Sequence, residues 1–258
     1  MHLRFCAGPA NIELELVGYD AQTQDLANRF FIRFPAVDGR TTWQATLCAA
    51  TEPTSHFGTF HLEMGPVSTG HQLHYPELPG RPLRHGAPRC ILHGLMGLLA
   101  HFLRGQHGRL LHAAACNLPD HGAVVAIGPS GAGKSTLTSA LKGVEMGDEG
   151  IALHRLHGVL CAQASLVPGE RLPETWNSAP LAALLIPSHE RTTRCVRIQG
   201  REAMVAIANA IIRLRGDDLF EDFDWAYDAL KDVPVFRVGW SLDQSPINEL
   251  KRALDATS

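Results

Sequence analysis

Eight consecutive residues, Gly128–Ser135, constrain this chain more than any other feature of its sequence. They read Gly-Pro-Ser-Gly-Ala-Gly-Lys-Ser and match the pattern G-x-x-x-x-G-K-[ST] in full. Such a loop curls its backbone N–H groups around a phosphate chain, and glycine permits the curl because it has no side chain. The apolar segment Ala123–Ile127 precedes the loop and the helix-forming segment Ser135–Lys142 follows it. This context argues against a chance match and predicts a nucleoside triphosphate site.

The phosphate loop also predicts what the chain binds. Lys134 is expected to reach the outer phosphates as a compact positive charge, and Ser135 to offer its hydroxyl to Mg²⁺. ATP and Mg²⁺ are therefore the expected cofactors, although no residue pattern chooses ATP over GTP. The predicted nucleotide-binding residues are Gly128, Pro129, Ser130, Gly131, Ala132, Gly133, Lys134, Ser135 and Thr136.

Two acidic residues, Asp148 and Glu149, follow Lys134 by 14 and 15 positions. They end the strand-like segment Val144–Asp148. If this strand lies beside the strand of the phosphate loop, both carboxylates come near the phosphates, where a kinase needs a metal ligand and a base. The alternative is a solvated turn at Gly147–Gly150, since Asp and Gly favour turns.

A histidine, His112, lies 16 residues before Gly128 in the apolar segment Leu110–Cys116. From a neighbouring strand its ring can touch the acidic pair and take part in proton transfer. A histidine in an apolar strand can equally be a core residue, and the residue pattern alone leaves both interpretations open.

The chain as a whole indicates two domains. Residues 76–88 contain four prolines and two glycines, which is typical of a linker. We therefore predict a β-rich N-terminal domain at residues 1–88 and an α/β phosphate-loop domain at residues 89–258. The predicted strands are Ile12–Val17, Phe30–Phe34, Thr42–Leu47, Leu110–Cys116, Ala123–Ile127, Val144–Asp148, Leu156–Ala162, Leu181–Ile186, Arg194–Ile198 and Val235–Val238. The predicted helices are Cys90–Leu103, Ser135–Lys142, Ala203–Leu214 and Ile247–Leu254.

Composition excludes several classes of protein. There are 23 basic and 26 acidic residues, so neither a nucleic-acid footprint nor a polybasic membrane patch is expected. Apolar stretches fall short of the ~20 residues of a membrane span, and the N-terminal residues do not match a signal peptide. The 14 histidines and six cysteines show no metal-ligand spacing. A cytoplasmic setting is expected.

The order of the motifs resembles one family. His112, the loop Gly128–Ser135 and the close pair Asp148-Glu149 are similar in order and spacing to the HPr kinase/phosphorylase superfamily. Most other phosphate-loop families place the acidic strand much further downstream. The resemblance covers roughly residues 108–256, including a closing segment, Val233–Val238, that looks like the family's last strand. It implies a fold of the HPr kinase C-terminal type.

The resemblance also implies roles for individual residues. Asp148, His112 and Lys134 would be catalytic: Asp148 takes the proton of the acceptor hydroxyl, His112 tunes Asp148, and Lys134 holds phosphate. Ser135 and Glu149 would hold Mg²⁺. The resemblance further implies a homo-oligomer.

Departures from the family pattern indicate which members of the family the chain resembles most. The bacterial HPr enzymes have Asp-Asp where this chain has Asp148-Glu149, and an acid where it has Thr136. No segment matches the glycine-rich stretch tied to phosphorylase activity. The chain is therefore more similar to shorter relatives, including kinases found with lasso-peptide biosynthesis, which phosphorylate the C-terminal serine of a precursor peptide. This implies an ATP-dependent kinase acting on a peptide or protein.

Other functions stay open at this stage. Thr136 and Glu149 are also compatible with a nucleotide-binding switch or assembly factor, and no motif excludes a small-molecule hydroxyl kinase. An ABC-type ATPase is disfavoured because its Ser-Gly-Gly-Gln-like signature is missing. Two charge clusters are also present. The basic one is interpreted as a solvated strand face, with a clamp for a phosphate or an acidic peptide as the alternative. The acidic one is interpreted as a solvated loop and helix start, with repulsion of an acidic partner or attraction of a basic peptide as the alternatives. The two clusters are Arg191, Arg194, Arg197 and Arg201, and the acidic run Asp217, Asp218, Glu221, Asp222 and Asp224.

Overall fold

The computed structural model describes the backbone of five N-terminal strands and most of the chain from residue 99 onward. The described residues are 2–7, 10–17, 21, 24, 42–49, 56–64, 67–76, 96–97, 99–164, 174, 177–190, 192–213, 217–240 and 245–257. The chain divides into two compact units, residues 1–99 and 100–258. The predicted boundary at residues 88 and 89, the predicted strand at residues 30–34 and residue 191 lie outside the described residues.

The first unit contains one five-stranded sheet whose strands follow chain order. Its strands are β1 (His2–Ala7), β2 (Ala10–Val17), β3 (Thr42–Ala49), β4 (His56–Met64) and β5 (Val67–Pro76). All neighbours are antiparallel except β2 and β3, which run parallel. Strands β2 and β3 cover two of the segments whose alternating pattern predicts strands.

The second unit is a mixed α/β structure, and the predicted α/β class is confirmed. Its strands are β6 (Arg109–Leu118), β7 (Gly122–Ile127), β8 (Val144–Gly147), β9 (Gly150–Leu156), β10 (Val159–Ala164), β11 (Ala179–His189), β12 (Arg194–Ile198) and β13 (Val235–Trp240). Its helices are α1 (Lys134–Ala140), α2 (Gly200–Ala210), α3 (Leu219–Asp232) and α4 (Ile247–Asp255). Residues 99–105 are also helical.

Eight strands form one sheet in the order β10-β9-β6-β7-β11-β13-β12, with β8 also paired to β6. Strands β7, β11 and β13 are parallel, so their C-terminal ends meet at one edge of the sheet. Ligands of open α/β sheets bind at such an edge, and the phosphate loop follows β7 there. Strand β10 also pairs with β11, which closes β6, β9, β10, β11 and β7 into a ring.

Both faces of the central strands are buried, which explains their nearly continuous apolar sequences. Val125 and Ile127 point to the face covered by α2 and α3, whereas Val124 and Ala126 point to the face covered by α1 and α4. Because side chains alternate along β7, the strand contributes apolar side chains to the core beneath each layer of helices. None of the helices in the described part of the chain is long and apolar enough to cross a membrane.

Two sequence predictions are wrong in the second unit. The segment Leu156–Ala162 is not one strand, because His157 and Gly158 both adopt positive φ angles (51° and 84°) and form the turn between β9 and β10. Strand β9 was not predicted at all. The helix predicted at 203–214 ends at Ala210, because Ile211 leaves the helix to bridge to Leu111 on β6.

Helix α3 begins within the acidic run, where a solvated loop and helix start is expected, and its first turn contains Glu221 and Asp222. Asp218 is its N-cap, and the Asp218 carboxylate accepts a hydrogen bond of 2.8 Å from the Phe220 N–H. The apolar residues Ala226 and Ala229 face the core. The acidic run is thus the start of a packed helix, and its member Asp222 is fully buried.

Candidate active site at the end of the parallel strands

The phosphate loop adopts a backbone that glycine permits. Gly128, Gly131 and Gly133 have φ angles of 147°, 79° and 88°, in a region that side-chain-bearing residues rarely occupy. Gly133 is also the residue from which helix α1 starts. The three glycines of the motif therefore account for the curl of the chain between β7 and α1.

Lys134 folds back over this loop. Its Nζ donates hydrogen bonds to the carbonyl oxygens of Gly128 (3.0 Å) and Pro129 (3.1 Å), and only 6% of the residue is exposed. Burial lowers the pKa of the Lys134 ammonium, and the negative charge of Glu149 partly opposes this shift. The lysine and an acidic side chain of the predicted pair therefore lie in one electrostatic neighbourhood.

The acidic pair occupies a two-residue bend between β8 and β9. Gly147 lies opposite Ala115, and Gly150 lies opposite His112, so both strands pair with β6. The Ala113 N–H also donates to the carbonyl oxygen of Glu149 at 3.4 Å. This corrects the expectation that the acidic strand lies beside the phosphate-loop strand: β6, which carries His112, lies between β8 and β7.

The bend brings His112 to the acidic pair. The Nε2 atom of His112 lies 3.5 Å from Oε2 of Glu149, a contact that becomes an ion pair when the imidazole is protonated. The two side chains are 37% and 45% exposed, whereas Asp148 is 9% exposed. This contact joins His112 to the second acid of the pair. The partnership with the first acid, which the resemblance implies, stays a prediction.

Oxygen atoms of the kind that Mg²⁺ takes as ligands lie on the phosphate loop and on the β8–β9 bend. Among the described residues there is no group of three or more His, Cys, Asp or Glu side chains arranged to hold a metal ion. Mg²⁺ usually keeps several waters and takes one or two carboxylates together with substrate phosphates. Half-exposed Glu149 and half-buried Ser135 offer the hard oxygen donors that such an ion needs.

The two charge clusters do not join this site as groups. Arg194 pairs with Glu190, four residues earlier, while Arg197 lines a small pocket of about 200 Å³ with Pro234 and Val235 at the opposite end of the parallel strands. The basic cluster is therefore split between the two ends of β12.

The acidic run supplies a buried ionic cluster instead. Asp222 is 0% exposed and accepts from Nε of Arg109 (2.8 Å) and from Nε of Arg213 (2.6 Å). Nη2 of Arg104 lies 2.8 Å from the same carboxylate. The guanidinium of Arg109 also lies over the ring of Trp225, 5.6 Å from its centroid. We call Asp222 and its three arginines the Asp222 cluster.

One residue near the loop was missed. A methyl group placed on Gly133 would lie 3.7 Å from Cε1 of His189, the last residue of β11. No motif marks His189. The available signal was its place at the C-terminal end of a buried strand, which is the edge where α/β sheets bind ligands.

Comparisons with known proteins assign the chain to no family. No protein-family model matches the chain, and no curated protein matches it significantly. Among solved structures, the chain is similar to the Hpr(Ser) kinase/phosphatase from Coxiella burnetii, with 12% identity and a TM-score of 0.32. The match covers 58% of this chain and 99% of that one. A superposition this loose transfers no residue roles, so the functional argument depends on this chain's own geometry.

Proposed function

We propose that this chain is an ATP-dependent kinase that transfers the γ-phosphate to a hydroxyl group, foremost a serine of a peptide or protein. A fold of the HPr kinase C-terminal type is part of the proposal. The observation that carries it is the meeting of Lys134 and the His112–Glu149 pair at one edge of the sheet. Phosphoryl transfer requires a phosphate cradle together with side chains that hold a metal ion and accept a proton.

The roles follow from burial and reach. Lys134 exchanges its bonds to the loop carbonyls for the outer phosphates of ATP. Asp148, which is only 9% exposed, accepts the proton of the attacking hydroxyl as the general base. Ser135 and Glu149 hold Mg²⁺, which neutralises charge on the phosphates when bound. His112 orients Glu149 through the 3.5 Å contact.

The acceptor is the finer part of the proposal. The C-terminal serine of a lasso-peptide precursor is the leading candidate, on the resemblance of the motif order to kinases of that type. The kinase proposal itself does not depend on this choice, because a small-molecule hydroxyl would need the same cradle and base.

A transfer assay read by mass spectrometry tests both the kinase activity and the choice of acceptor. The protein is mixed with Mg²⁺, ATP and serine-terminated precursor peptides, and a gain of ~80 Da on the peptide reports transfer. Asp148→Asn is expected to reduce the rate by about 10²- to 10⁴-fold, the usual contribution of a general base. Lys134→Ala is expected to abolish transfer.

Matched variants assign the carboxylates. Glu149→Gln is expected to raise the Mg²⁺ concentration needed for half-maximal rate, whereas Asp148→Asn lowers the rate at saturating Mg²⁺. Asp120→Asn changes an exposed aspartate at the far end of the β6–β7 hairpin and is expected to leave transfer intact. Full activity in Asp148→Asn would remove the proposed base. Tight ATP binding without transfer to any peptide or small-molecule hydroxyl would favour a nucleotide-binding switch.

A further inference from the structure

His189 ends β11 beside the phosphate loop, and neither the motif nor the proposed roles use it. Strand β11 runs parallel to β7, with Leu185 opposite Ala126. The three residues after Ile186 therefore extend past the end of the β7 pairing, at the level of the loop. This places a titratable ring where a bound nucleotide's outer phosphates would lie.

The alternation of β11 determines the face on which His189 lies. His189 lies directly opposite Trp240 on β13, and residues paired in register share a face of the sheet. Trp240 belongs to the core cluster of the α1 and α4 layer, together with Leu137 of α1. His189 is therefore on the side of the sheet from which the phosphate loop and α1 approach.

The neighbours of His189 fix the end of the strand. Ser188 donates a hydrogen bond of 3.0 Å to Oε1 of Glu190, and Arg194 forms an ion pair with the same carboxylate. Glu190 packs against Gly239, where an added Cβ would collide with the Glu190 carboxylate. Because Ser188 and Glu190 are held on the opposite face, the His189 ring is kept toward Gly133, with Cε1 3.7 Å from a Cβ placed there.

We propose that His189 binds the terminal phosphate of the nucleotide from the β11 side of the loop. The inference rests on the proposed function only in placing a nucleoside triphosphate in the loop. An imidazole N–H donates to a phosphate oxygen whether the ring is neutral or protonated. His189 is exposed, so its ring can turn toward a ligand without breaking a core contact. His112 and Glu149 lie across the site, on β6 and on the β8–β9 bend.

The test compares ATP with ADP, because ADP lacks the phosphate in question. Dissociation constants with Mg²⁺ are measured by calorimetry for the wild-type chain and for His189→Ala and His189→Asn. His189→Ala is expected to weaken ATP binding about tenfold, the usual worth of a hydrogen bond to a charged group. ADP binding is expected to change less than twofold. His189→Asn keeps an N–H donor and is expected to recover part of the ATP affinity.

His121→Ala is the matched control. His121 lies in the turn between β6 and β7, at the opposite end of the hairpin from the loop. It is expected to leave both dissociation constants unchanged. Equal weakening of ATP and ADP in His189→Ala, or no change in either, would overturn the proposal, as would a wild-type chain that binds neither nucleotide. Selective weakening of ATP without any phosphoryl transfer would support His189 while removing the kinase proposal.

Discussion

The two acidic segments of the chain, the Asp148-Glu149 pair and the acidic run that contains Asp222, have different surroundings in the fold. Asp222 is enclosed by three arginines, and its charge is used entirely inside the fold. At Asp148-Glu149 the backbone ladder to β6 fixes the bend, and the neighbours of Glu149 include His112 and the loop-bound Lys134. The comparison separates charge that stabilises the fold from charge that we propose meets a ligand.

The largest expected effect concerns the Asp222 cluster. Asp222→Ala leaves three arginines without their shared carboxylate, and removal of one partner from a buried ionic cluster typically costs about 3–5 kcal/mol. Urea denaturation at pH 7 measures this loss of unfolding free energy. Asp224→Ala changes an exposed aspartate of the same helix and is expected to stay within about 0.5 kcal/mol of wild type. Equal losses of unfolding free energy in the two variants would contradict the contrast between buried Asp222 and exposed Asp224.

We expect a bound nucleotide to stabilise the phosphate loop, as the three arginines stabilise Asp222 within the fold. At a free Mg²⁺–ATP concentration near 100 times its Kd, the free energy of unfolding should rise by about 2.7 kcal/mol. Thermal denaturation with and without nucleotide measures the shift in Tm. Lys134→Ala is expected to lose this shift while retaining the Tm of the nucleotide-free protein to within a few degrees. A shift that survives in Lys134→Ala would place nucleotide binding elsewhere.

The smallest loss of unfolding free energy is expected for the exposed ion cluster of Arg155, Asp228 and Asp232. Arg155 on β9 contacts Asp232 (2.5 Å) and Asp228 (3.2 Å) on α3, and all three side chains are at least 36% exposed. Arg155→Ala is therefore expected to cost at most about 1 kcal/mol at pH 7. Urea denaturation as a function of pH measures it, and a cost near that of Asp222→Ala would contradict the comparison.

The pH dependence of this exposed cluster has a definite sign. Hydrogen bonds from Lys231 and then Arg155 lower the pKa of Asp228 below the ordinary value of an aspartate. A lowered carboxyl pKa stabilises the folded state above the unfolded-state pKa, and this contribution disappears as the pH falls through the folded-state pKa. The difference between wild type and Arg155→Ala should accordingly be constant near neutral pH and shrink below about pH 4.

Local patterns predicted the parts of the fold whose cause is local. The apolar run of β7, the glycines of the loop and the bounds of β12 at Arg194–Ile198 all follow from neighbouring residues. Helix α4 begins at Ile247, as its pattern predicts, and ends one residue later than expected.

The failures depend on residues that are remote in the chain. The burial of Asp222 requires Arg104 and Arg109, more than 100 positions earlier, and no periodicity within α3 announces them. The approach of His189 to the loop requires the parallel pairing of β11 with β7.

That bend limits how the chain can change in length. Because side chains alternate along a strand, a deletion or insertion of one residue between Val144 and Gly150 would exchange the orientations of the two acids or break their pairing with β6. The exposed turn at His157–Gly158 carries no such restriction, since it only joins β9 to β10. Insertions should therefore be accepted at that turn, whereas the number of residues between Lys134 and Glu149 must stay constant for the two side chains to keep their places.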